Sequence, residues 1–157
     1  MKRIGLIVAS VLVGAALIGV GAYVGARVEQ TDSASANAEG PITSKDALIL
    51  PTFSEAATEF EKQLELAKSG KNVGDKLMKQ AVVVRHISGT AEGSSFKEVS
   101  TLTAEAMMLL SAGVIADDGA TVQAGFEKYQ QAQEKIYALV DEVKNSDALN
   151  EPTTAPE

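Results

Sequence analysis

The chain has 157 residues, a net charge of −7, a single His, and neither Cys nor Trp. Without Cys there is no thiol catalysis, disulfide staple, Cys-ligated zinc or lipoprotein-type lipid attachment, and an acidic chain lacking an aromatic-interleaved basic stripe is no nucleic-acid binder. Three Tyr and four Phe are the only aromatic residues, so a core must be built from Ala, Val, Leu, Ile and Met, which suits helices whose backbones approach closely.

The charge is uneven. Residues 62–85 carry six bases (Lys62, Lys68, Lys71, Lys76, Lys79, Arg85) against Glu65 and Asp75, a local +4. From His86 onward, twelve acids face four bases, a local −8. The basic stretch reads as the solvated face of one or two helices, with a docking patch for an anionic lipid or polymer as its functional alternative.

In chain order, Lys2 and Arg3 precede an uncharged run of 23 residues, 4–26, closed by Arg27. As a helix it would measure about 34 Å, enough for a hydrocarbon core of about 30 Å. The positive-inside bias predicts a cytoplasmic N-terminus and an exported remainder. Residues 1–27 are therefore expected to be a membrane anchor or a signal segment. Cleavage after Ala36-Asn37-Ala38 is the competing reading, and it too leaves the domain outside. Ala15, Gly19 and Ala22 with Ala26, and Gly21 with Gly25, recur at small-residue spacings that favour close packing of two membrane helices, although Gly and Ala are common in such segments.

Residues 28–51 are expected to be a flexible polar spacer. Within them, 44–50 form a short helical or extended lead-in stopped by Pro51. Residues 52–146 are expected to be an extracytoplasmic bundle. Its first helix opens on a capping box at Thr52-Phe53-Ser54-Glu55, buries Phe53, Ala56, Ala57, Phe60, Leu64 and Ala67, and stops at Gly70. A second helix starts with Asn72 as cap, carries Val73, Leu77, Met78, Ala81, Val84 and Ile87, and ends before Gly89. The third opens on a second capping box, Ser95-Phe96-Lys97-Glu98, and buries Phe96, Val99, Leu102, Ala106, Leu109, Leu110 and Gly113. Asp117-Asp118-Gly119 makes the next turn. In the fourth helix Val122, Phe126, Tyr129, Gln133, Ile136, Val140 and Val143 form a heptad seam, with Gln133 its polar member. Residues 147–157 are expected to be a disordered acidic tail.

The fold class that follows is all-α: one N-terminal transmembrane or signal helix, then a small up-down four-helix bundle, with a three-helix core as the alternative. In architecture alone this plan resembles the sensor part of bacterial chemoreceptors, and it carries no motif of that family.

Candidate chemistry is sparse. His86 is read as a helix-terminal side chain. Glu55 with Glu59, and Asp117 with Asp118, are read as solvated caps and faces, because no Glu-x-x-His step or complete EF-hand loop accompanies them. Met78 and Met107 are read as core fillers. No catalytic residue, cofactor or metal site is expected. Gln133 and Tyr129 are the candidates for a register-setting or interaction role.

The expected function is a non-enzymatic extracytoplasmic interaction or scaffold module that binds another envelope protein or a second copy of itself. The alternatives are a small-ligand carrier or sensor, with a pocket lined by Phe60, Met78, Met107 and Phe126, and a cleaved, secreted protein. A filled core would count against the carrier, and an exposed apolar strip along the fourth helix would favour a protein partner.

Overall fold

The computed structural model describes residues 41–148. Over that range the chain forms four helices and no strand: α1 (Ser44–Lys68), α2 (Gly74–Thr90), α3 (Ser94–Ala116) and α4 (Gly119–Ala148). The segment 1–27, most of the spacer, the small-residue positions Ala15, Gly19, Gly21, Ala22 and Gly25, and residues 149–157 lie outside the described residues.

Helix α1 begins at Ser44, eight residues before the expected Thr52 start, and runs through Pro51. The capping box is Thr43-Ser44-Lys45-Asp46: the Asp46 amide donates to Thr43 Oγ1 at 3.2 Å and the Thr43 amide to Asp46 Oδ2 at 2.8 Å. An interior Pro costs about 3 kcal/mol through its lost amide and its clash with the preceding turn. Burying Leu50, only 1% exposed, recovers about 1.5–3 kcal/mol, and the capped carboxylate adds to that. The spacer therefore gives way to the bundle before residue 51. At the other end, Gly70 has φ +82°. Its amide donates to Ala67 O and that of Lys71 to Leu66 O, a Schellman stop where Gly70 was expected to end the helix.

Helix α3 also starts without its expected capping box. Its N-cap is Gly93, with no side-chain cap. The start of α3 is held from α1 and its approach instead: the Gly93 amide donates to Asp46 Oδ2 at 2.7 Å and the Phe96 amide to Pro41 O at 3.1 Å. Ser95 is left to bond Glu142 on α4 at 2.8 Å. Helix α2, likewise, is capped by Val73 rather than Asn72 and runs to Thr90.

The chain runs up and down. The Asp46 end of α1 meets the end of α2, Gly74 faces Ile115, and Gly113 and Gly125 meet Val122 and Leu110. A Cβ on Gly125 would lie 2.8 Å from Leu110 Cγ and 2.9 Å from Leu110 N, so α3 and α4 touch backbone to side chain here. Across the bundle, no Cα of α1 comes within 8 Å of one in α4. The core beside α1 holds large side chains. Phe53, Phe60 and Phe96 are fully buried, and Phe53 meets Phe96 edge-on with centroids 5.5 Å apart.

The α4 seam differs from the expected heptad at alternate positions. Val122, Tyr129 and Ile136 are buried as expected, but Gly125, Ala132 and Leu139 are buried with them, while Phe126, Gln133 and Val140 are half-buried flanks. Hydropathy undervalues Gly and Ala, yet these residues let α4 sink against α3. Helix α3 has a mean hydropathy of 1.6 and is long and apolar enough to cross a membrane, with half of that stretch buried by its neighbours. A core helix of a bundle meets the same description.

Candidate functional site: a groove over α3

Three helices build the one broad concavity we single out, an open groove of about 560 Å³. Its floor is the outer face of α3, where Ala104 is buried and Met108 and Leu109 are half-buried. One wall is α2, through Arg85 and Ser88, and the other is α4, through Lys128. Thr101 and Glu105 complete the rim from α3. Lys128 pairs with Glu105. Arg85 is exposed and forms no ion pair with any described residue. Ser88 donates to the Arg85 carbonyl at 2.8 Å, a bond that leaves the guanidinium uninvolved.

The polarity of the groove changes along its length. Gly74 faces Ile115, and counting back along two antiparallel helices places Arg85 level with Ala104 and Ser88 level with Thr101. Cation and hydroxyls thus gather at one end, and the Met108 thioether and Leu109 side chain form the other.

The second polar centre is Asp46, which is fully buried. Its carboxylate accepts from the Thr43 amide and hydroxyl at 2.8 and 2.9 Å, from the Glu92 amide at 2.9 Å and from the Gly93 amide at 2.7 Å. Burial alone raises its pKa. The four donors outweigh burial and hold the carboxyl below its ordinary value of 3.8. A Cβ on Gly93 would sit 2.7 Å from both Asp46 Oδ2 and Pro41 O, so only Gly fits against this clamp. Every strong donor here comes from the chain itself, which makes the cluster a structural tie between α1 and the α2–α3 turn.

The expected interaction residues part company. Tyr129 is 4% exposed, and its hydroxyl donates to Glu61 on α1 at 2.8 Å, bridging the wide side of the bundle. Burial, then the Glu61 charge and this hydrogen bond, push its phenol pKa well above 10. Gln133 is half-buried and reaches the hydroxyl of the half-exposed Tyr137 at 3.4 Å. One turns inward and the other lies on a flank.

The pocket expected among Phe60, Met78, Met107 and Phe126 is not where the groove forms. Phe60 and Met107 are fully buried in the core, and Phe126 packs half-buried against it. His86 is exposed on α2. Glu59 bonds Gln63 and Lys62, and Asp118 caps α4 through the Ala120 amide. Asp117 takes the left-handed turn position at φ 53°. Among the described residues no three His, Cys, Asp or Glu side chains group as metal ligands would.

No protein-family model matches the chain, and neither a curated protein nor a solved structure matches it. In the sequence Arg85 is one charge of a solvated face. Nothing in a one-dimensional pattern joins it to Met108 and Lys128, which lie 23 and 43 positions further on.

Proposed function

We propose that this chain is a non-enzymatic, extracytoplasmic helical binding module, tethered or exported by residues 1–27. The observation that carries the reading is the groove over α3, whose volume falls in the range of small-molecule sites, roughly 300–1,000 Å³. This concavity combines apolar side chains with an uncommitted cation. The expected apolar strip along α4 is not what its outer face offers, since Gln123, Glu127, Gln130, Gln131 and Glu134 are exposed there.

The absence of natural Cys provides a direct test. Gln130→Cys places one thiol on the exposed face of α4, and Leu109→Cys places one in the groove. A membrane-impermeant maleimide should label Gln130→Cys in intact cells. Leu109→Cys should react several-fold more slowly in cells than after purification, because its ligand shields it. Labelling of Gln130→Cys only after lysis would overturn the extracytoplasmic placement, and equal Leu109→Cys rates in both settings would overturn the groove.

A second reading, a protein partner or second copy, is supported by one observation. Tyr137 is 50% exposed beside Gln133, and an exposed Tyr with a polar neighbour is the kind of side chain interfaces favour. If that reading holds, Tyr137→Ala should abolish a complex isolated from detergent-solubilised membranes.

A further inference from the structure

We propose that the α3 groove binds a single-chain amphiphile with a carboxylate head, of the medium-chain fatty acid class, its head on Arg85 and its tail along Met108 and Leu109. The inference rests on the binding-module reading and names the ligand of the same site.

Charge selects the head. The rim carries Arg85 and Lys128 against Glu105, a net of one positive charge in a chain of net −7. Lys128 is already neutralised by Glu105, so the excess resides on Arg85. A guanidinium presents a planar fork that matches a carboxylate bidentately, which a Lys ammonium does not. Thr101 stands exposed at the same end and adds a hydroxyl.

The floor selects the tail. From Ala104, level with Arg85, to Leu109 is about 7.5 Å of helix at 1.5 Å per residue, a floor that suits a medium-length saturated chain such as that of octanoate and not a long one. Leu109 and Met108 are half-buried, so each has apolar surface left to cover. The thioether of Met108 is flexible enough to close on an alkyl chain. Size excludes a folded protein as occupant, because a stable protein interface needs about 800 Å² on each side and the apolar floor here amounts to Ala104, Met108 and Leu109.

Methyl-selective NMR tests this. The full chain, with 13C-methyl Met and reconstituted in phosphatidylcholine nanodiscs, is titrated with octanoate, with 1-octanol and with acetate. Octanoate should shift the Met108 methyl saturably while the buried Met107 methyl stays in place. Acetate should leave Met108 unmoved, and 1-octanol should need about tenfold more ligand for half-saturation, the worth of roughly one charged hydrogen-bonded pair. Arg85→Gln should weaken octanoate about tenfold and leave 1-octanol unchanged, while Lys79→Gln, a charge loss elsewhere on α2, should change neither. An unmoved Met108 methyl overturns the proposal. So does equal affinity for octanoate and 1-octanol, or an Arg85→Gln chain that binds octanoate normally. If Leu109→Cys remains shielded in cells while octanoate fails, the ligand class falls and the module reading stands.

Discussion

At the scale of single residues, Asp46 is the most consequential side chain in the described bundle. One carboxylate satisfies donors at the start of α1 and at the start of α3, so a local cap is also a long-range tie. Asp46→Asn keeps the shape but turns an amide NH2 toward backbone donors that need an acceptor. It should cost about 2–3 kcal/mol, read as a shifted urea midpoint with an unchanged slope. The pH dependence has a definite sign. Because the folded carboxyl lies below its ordinary 3.8, its stabilisation is complete above that value and is lost as the pH falls below it. Stability curves of the natural chain and Asp46→Asn should therefore converge below about pH 4. Parallel curves down to pH 2 would show that the carboxylate's charge contributes nothing.

At the scale of elements, the α3–α4 pair rests on small residues. Gly125 has no room for a Cβ against the Leu110 backbone, and Gly113 has none against Val122. Gly125→Ala should destabilise the protein by about 1–3 kcal/mol through overpacking, despite the better helix propensity of Ala. Gly89→Ala is the comparison, since nothing lies within 4 Å of its would-be Cβ. There the propensity gain acts alone, and thermal melts should show a rise where Gly125→Ala shows a fall. The same element explains why the α4 seam was only half legible. Val122, Tyr129 and Ile136 announce themselves by hydropathy. Gly125 and Ala132 occupy the alternate seam positions because of what they lack, and Phe126 and Gln133 at the flanks mimic a seam one residue away.

At the scale of the whole molecule, the bundle begins earlier than its most obvious signals suggest. Leu50 and Asp46 lie before or beside Pro51, and both are fully or almost fully buried. A fragment of residues 41–148 contains all of the described core and should unfold in one cooperative step. A fragment of 52–148 loses Asp46, Leu50 and the Pro41 carbonyl that binds the Phe96 amide. It should melt about 10 °C lower or more, given a few kcal/mol lost from a domain near 100 residues. Equal melting temperatures would place the working boundary at residue 52 after all. The groove belongs to this scale as well, since Arg85, Met108 and Lys128 meet only once three helices have packed.

The amino-acid sequence by itself determined the all-helical class, the number of helices over residues 52–146, the stop at Gly70, the turn at Asp117-Asp118-Gly119 and most of the core positions. These follow from local physics: a 3.6-residue apolar period, and turn residues that relieve the backbone where it must reverse. Tertiary structure decided which caps form, where α1 begins, which α4 residues face α3, and that Arg85 overlooks an apolar floor. Each of those depends on a partner supplied from elsewhere in the chain. The start of α3 lies two residues before the Ser95 capping box because Asp46, held on α1, accepts from the Glu92 and Gly93 amides. The groove exists because α2 and α4 flank α3 without covering Met108 and Leu109.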